Sequence, residues 1–278
     1  MNLHTETADS EVSKMSKKMM TKIIAAFAVI AIVIPPLYMG GTLLHLLMIF
    51  VAGVGSYEIA RLQKKDIVIN TLLYFGVVAL TYFADDALVP AVFGLWAVIL
   101  FVVELIHGKV DTDSVTIPFI LTFIMAIAVK SLNSIYNTIL FGGWKLILYI
   151  ALACFLCDTG AYFFGVFTGK HKMIPEVSPN KTWEGSIGGF ATGCIISLIY
   201  GCMVLPQMPM ALTIAASVLL PIAAQVGDLS FSSIKRKYGI KDFGNLIPEH
   251  GGVLDRVDSL LFCLVVFYGL VQVIGALL

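Results

Sequence analysis

The sequence predicts an all-α polytopic integral membrane protein, with about nine transmembrane helices and two cytoplasmic polar loops that together form a site. Three observations lead there. The 278 residues are 59% hydrophobic and 13% charged, with a mean hydropathy of +0.93, where a soluble domain carries about 25% charged residues. Apolar runs of about 18 residues, enough to cross a bilayer, recur along the chain. With a cytoplasmic N-terminus, sixteen of the eighteen Lys and Arg fall on the cytoplasmic side, leaving only Lys130 and Lys145 outside, as the positive-inside rule requires.

Taken in order, residues 1–22 form a polar, loosely attached cytoplasmic tail. The tail lacks a small-residue cleavage site, and the apolar run behind it is long enough to span, so no cleavable signal peptide is expected. Runs at 23–39, 41–59, 67–84, 87–106 and 116–132 make an N-terminal transmembrane region, 23–132, with short polar turns. Glu58 and Glu104 lie near cytoplasmic helix ends, where a carboxylate can reach the interface or pair with a base. Asp85-Asp86 and Asp111-x-Asp113 fall in predicted turns, where solvated loop acids are the ordinary reading. Runs at 145–167, 186–205, 210–227 and 259–277 make a C-terminal catalytic region, 133–278, interrupted by polar loops at 168–185 and 228–258. The seventh run carries Gly185, Gly189, Gly193, Ser197 and Gly201, a small residue at every fourth position. Such a face permits close helix approach in lipid, either within the chain or across a homodimer. The five Cys all lie in apolar segments and read as packing residues, with no disulfide expected.

The densest chemistry lies between Asp228 and Asp258. Asp255 and Asp258 are three apart and share a helix face, and Asp228 lies at the expected end of the eighth helix. Three carboxylates that can converge at a bilayer edge, with oxygen ligands only, suit Mg²⁺ or Mn²⁺ rather than zinc. Ion pairing with Arg256, Lys235 and Arg236 is the competing reading. Lys235, Arg236, Lys237 and Lys241 follow Asp228 closely. Basic clusters after a membrane helix often only fix topology, but interleaving with Asp228, Asp242 and His250-Gly251-Gly252 points to a polyphosphate. Arg grips phosphate with a fork and Lys with a point charge, and Gly251-Gly252 can turn backbone N–H groups toward an anion. In the other loop, Asp158 lies inside the sixth run, where a carboxylate by default faces a polar cavity or a partner. Ser178-Pro179-Asn180-Lys181-Thr182 reads as a helix-entry turn, with Thr182 and Glu184 at the start of the seventh helix and Lys181 placed for a phosphate. Gly165…Gly169-Lys170-His171 is one residue short of a P-loop and lacks its Ser/Thr. A transporter would account for the spans but not for the Lys/Arg/His-Gly-Gly cluster outside the bilayer.

The 27 residues from Ser232 to Asp258 resemble the signature of the phosphatidate cytidylyltransferase (CDP-diacylglycerol synthase) family. The matching positions are Ser232, Lys235, Arg236, Lys241, Asp242, Gly244, Pro248, His250, Gly251, Gly252, Asp255, Arg256 and Asp258. Upstream, Asp158-Thr159-Gly160-Ala161-Tyr162, Ser178-Pro179, Lys181-Thr182, Glu184-Gly185 and Gly227-Asp228 match as well. The resemblance implies a nucleotidyltransferase of phospholipid biosynthesis that turns CTP and phosphatidate into CDP-diacylglycerol and pyrophosphate. It implies Mg²⁺ held by Asp228, Asp255 and Asp258, with room for a second cation. Catalytic roles are implied for Asp228, Asp255, Asp258, Lys241, His250 and Arg256. Substrate contacts are implied for Asp158, Ser178, Lys181, Thr182, Glu184, Lys235, Arg236, Asp242, Gly251 and Gly252. The partners are then CTP, phosphatidate and membrane lipid, with no nucleic acid. The location implied is a bacterial-type cytoplasmic (inner) membrane, with the N-terminus and the site cytoplasmic and the C-terminus outside. The alternative is another CTP-dependent membrane lipid transferase such as a polyprenol kinase.

Overall fold

The computed structural model of the chain describes residues 20–21, 24–25, 27–106, 112–137, 143–247 and 251–275. The expected tail therefore lies almost wholly outside the described residues, as do Asp111 and His250. The helices are α1 (Phe27–Met39), α2 (Gly41–Gln63), α3 (Ile67–Phe83), a single 3-10 turn (Asp86–Leu88), α4 (Val89–Ile106), α5 (Thr112–Tyr136), α6 (Trp144–Thr168), α7 (Trp183–Val204), α8 (Met210–Lys237) and α9 (Leu254–Gly275).

Among the described residues, seven helical segments are long and apolar enough to cross a membrane: α2, the 3-10 turn with α4, and α5 through α9. The chain is thus an all-α polytopic membrane protein. α1 and α3 are apolar but shorter. The 17 residues of α3 rise about 26 Å at 1.5 Å each, just under the roughly 30 Å hydrocarbon thickness.

Two local expectations are corrected. Asp228 was expected at the end of the eighth helix, but α8 continues to Lys237 and holds Asp228 well inside it. Hydropathy marks where the bilayer ends, not where the helix ends. Lys235, Arg236 and Lys237 in the last turn complement the negative end of the helix dipole and let it run on. The second departure is a small sheet. Residues expected as a helix-entry turn instead pair as an antiparallel hairpin, β1 (Lys172–Ile174) with β2 (Ser178–Thr182), with Lys172 opposite Thr182 and Ile174 opposite Ser178.

α6 and α7 make the closest helix pair, α8 packs on α9 and on α7, and α5 joins α9 to the N-terminal helices α2 and α3. The small-residue face of α7 is what it buries: Gly185, Gly188, Gly189, Gly193, Ser197 and Gly201. A Cβ on Gly189 would stand 2.5 Å from the Cys157 carbonyl oxygen, and one on Gly185 2.7 Å from that of Ala161. This face is therefore packed within the chain, against α6 and, at Gly193 and Gly201, against Pro221 and Thr213 of α8 as well. Tyr149 ties α6 to α8 through its hydroxyl, 3.0 Å from the Thr213 carbonyl and 2.8 Å from Ser217 Oγ.

Candidate active site

The hairpin is fixed at both ends by side chains that follow it in sequence. Thr182 caps α7, its hydroxyl accepting the Gly185 N–H at 3.1 Å, which satisfies one of the unpaired donors of a helix start. Glu184, in the first turn, accepts the N–H groups of Lys170 (3.1 Å) and His171 (3.2 Å) and holds His171 Nδ1 at 2.6 Å. Arg236, near the end of α8, donates from Nε to the Val177 carbonyl at 3.3 Å and from Nη1 to the Ile240 carbonyl at 3.2 Å. Lys181, on the anchored strand, ion-pairs with Asp228 of α8.

Between α6, the hairpin, α7 and α8 lies a cavity of about 460 Å³, lined by Asp158, Tyr162 and Val166 of α6, by Lys181 of the hairpin and by Asp228 of α8. Ser186 and Gln225 also line it and are tied together: Ser186 Oγ bonds Gln225 Oε1, and Gln225 Nε2 donates to the Ser186 carbonyl at 2.9 Å. Asp158, Asp228 and Asp258 lie within electrostatic reach of one another. Asp258 Oδ1 accepts the Ser259 N–H at 2.7 Å, and Ser232 Oγ reaches Asp228 Oδ1 at 3.4 Å. Of the two lysines within reach, Lys181 pairs with Asp228 and Lys235 with Asp255, so a cation would complete the balance of charge at Asp158 and Asp258.

The loop between α8 and α9 is closed on itself. Asp255 is 8% exposed. Its Oδ1 pairs with Lys235 Nζ at 2.8 Å, and its Oδ2 accepts the N–H groups of Phe243 (2.8 Å) and Gly252 (2.9 Å). Lys235 also lies 5.5 Å from the centroid of the Phe243 ring. Gly251 takes a φ of +82°, a conformation only glycine adopts without strain, and its carbonyl accepts the Ile247 N–H at 2.9 Å. Under this loop sits Glu58 of α2, 2% exposed. It accepts the N–H groups of Val253 (2.9 Å, Oε1) and Leu254 (2.8 Å, Oε2).

The residues singled out in the sequence therefore divide. Asp158, Lys181 and Asp228 line the cavity, and Asp258 is close enough to act on it. Lys235, Asp255, Gly251 and Gly252 build the loop, while Thr182 and Glu184 fasten the hairpin, where Ser178 pairs with Ile174. Lys241, Asp242 and Arg256 are exposed at the same end. Glu58 is buried against backbone rather than paired with a base, and Asp86 meets Lys130 at 3.1 Å and Tyr268 at 2.9 Å. Sequence reasoning passed over Gln225 and Ser186. Gln225 is a polar residue in an apolar run three positions before Asp228, and that was its signal.

Among the described residues, no group of three or more His, Cys, Asp or Glu side chains has the spacing of a metal cage. The donor set still fits Mg²⁺ of the kind that keeps water and phosphate oxygens and takes only one or two carboxylates from the protein. Asp228, whose side chain is 31% exposed beside the cavity, and Asp258 would be those carboxylates, whereas Asp255 is buried with its oxygens turned to Lys235 and the loop backbone.

The model of the Cytidylyltransferase family matches residues 20–274. Similar proteins include one named phosphatidate cytidylyltransferase from Staphylococcus haemolyticus (strain JCSC1435), 45% identical over 122 residues. Proteins of the same name from Staphylococcus epidermidis (strain ATCC 12228 / FDA PCI 1200) and Staphylococcus aureus (strain COL) are 43% and 45% identical over 122 residues. The aligned stretch covers 44% of this chain and 47% of each relative, so the chain spans about half the length of the curated relatives it matches.

Proposed function

The chain belongs to the cytidylyltransferase family, and from that premise we propose that it is a phosphatidate cytidylyltransferase, making CDP-diacylglycerol and pyrophosphate from CTP and phosphatidate. The observation that carries the reading is the identity to proteins of that name, taken with a charged cavity at the end of a membrane-spanning bundle. A site at helix ends meets a soluble nucleotide on one side and a lipid headgroup on the other.

In this reading a phosphate oxygen of phosphatidate attacks the α-phosphorus of CTP. A new P–O–P link forms, the bond from the α-phosphorus to its β-bridging oxygen breaks, and the electron pair leaves with pyrophosphate. The nucleophile is already anionic, so the protein's work is alignment and charge neutralisation. Lys181 binds phosphate from the hairpin. Lys241, Arg236 and Arg256 do so from the far side, and His250 orients a phosphate from beside Gly251. Asp228 and Asp258 would hold Mg²⁺, which supplies positive charge against the phosphate oxygens when bound. Asp255 acts from its anchored place in the first turn of α9, and Asp158 sets the polarity of the cavity. We further propose that α1 and α3 also span, giving nine crossings, and that the site end faces the cytoplasm of a bacterial inner membrane.

The test is purified protein in detergent with phosphatidate, Mg²⁺ and CTP labelled at either the α- or the γ-phosphorus. Label from the α-position enters lipid, pyrophosphate is released, and chelation of the metal stops both. Label entering lipid from the γ-position instead would make the protein a lipid kinase. Folded protein that labels no lipid from either position would rule out both readings.

A further inference from the structure

We infer that Glu58 is a positioning residue for this reaction: a carboxylate from the N-terminal half that holds the first turn of α9 in place, and with it Asp255 and Asp258. The link to catalysis rests on the proposed function; the anchoring rests on geometry alone. Three consecutive N–H groups at the start of α9 are met by side-chain carboxylates. Gly252 gives its N–H to Asp255, and Val253 and Leu254 give theirs to the two oxygens of Glu58. Unpaired N–H groups and the positive end of the helix dipole both favour an anion at this position.

The chemistry asks for a carboxylate in particular. Glu58 is 2% exposed, and its hydrogen-bond partners are amides rather than a base. Each of its oxygens serves a different N–H, so an amide side chain would satisfy one and set an NH₂ group against the other. The loop is shaped around this side chain as well. A Cβ on Gly252 or Gly244 would collide with the Glu58 carboxylate. Neither glycine has a positive φ, so room for Glu58, not backbone freedom, accounts for both. Asp255 follows Leu254 directly and Asp258 lies one turn on, so a shift of the capped turn moves both acids.

The experiment compares full-length wild type, Glu58→Gln and Glu58→Asp in detergent by amide hydrogen exchange and by steady-state kinetics per folded molecule. In Glu58→Gln, exchange at residues 252–255 rises about tenfold or more while α6 and α7 keep their protection. In the same variant kcat falls about ten- to a hundredfold with KM for CTP within about threefold, as expected when aligned groups are displaced by an ångström or less. Glu58→Asp, which keeps the charge, recovers part of kcat. Unchanged exchange at 252–255 overturns the anchoring, and faster exchange with unchanged kcat overturns the positioning role. Should Glu58→Gln fail to fold, Gly244→Ala presses on the same carboxylate and is read by the same two measurements. If wild type transfers no cytidylyl group yet exchange responds as expected, the proposed function falls and the anchoring stands.

Discussion

Around Asp228, beside a cavity of about 460 Å³, the carboxylates are lightly held: Asp228 meets Lys181 and, at 3.4 Å, Ser232, with its side chain 31% exposed, and Asp258 accepts one backbone N–H. Around Asp255, at the same end of the molecule, both oxygens are bonded, the lysine beside them is 8% exposed, and the backbone is folded tightly over the pair. The two regions have nearly the same composition of acids, bases and glycines. What separates them is how far each charge is already satisfied. A saturated carboxylate fixes geometry, whereas an unsaturated one beside a cavity is available to bind. Within the signature stretch, Lys235, Gly252 and Asp255 are therefore committed to holding the loop, while the cavity is lined from outside it by Asp158, Lys181 and Asp228.

The contrast can be broken most strongly at the saturated region. Asp255→Ala leaves Lys235 charged and buried with no partner, which costs about 3–5 kcal/mol. It should lower the thermal transition of the purified protein and abolish label transfer. An unchanged transition would mean that the loop is not held as described. At the open region, Asp228→Asn keeps the shape and removes the charge. Activity should fall at least about a hundredfold, roughly 2.7 kcal/mol of barrier, with the thermal transition close to wild type. A large loss of stability there would erase the distinction between the regions. The mildest test lies behind both. Gly189→Ala forces α6 and α7 apart where a Cβ would meet the Cys157 carbonyl at 2.5 Å, for about 1–3 kcal/mol, seen as a lower transition with KM little changed.

Much of the fold was legible because one signal, a long apolar run, maps directly onto one structure, a membrane helix. The glycine face of α7 was legible for a similar reason, since its period is that of a helix. The hairpin at 172–182 was not, because its strands are short and polar and leave no hydrophobic alternation to read. The true length of α8 was hidden because seven of its last ten residues are polar or charged, and hydropathy is blind to a helix that leaves the bilayer. For the site, residue types indicated the chemistry, but only tertiary structure assigned roles. Nothing in the composition separates the bonded Asp255 from Asp228, and nothing near Glu58 in sequence reveals that its partners lie some 195 residues away.

The continuity of α8 has a mechanical consequence. Asp228 and Lys235 are two turns apart on one unbroken helix, separated by about 10 Å of rise and facing nearly the same way. The helix acts as a ruler with the cavity wall at one mark and the root of the loop at the other. A tilt that widens the cavity must pull on Lys235, and through it on Asp255 and the base of α9. The cavity wall and the root of the loop are in that sense one rigid piece.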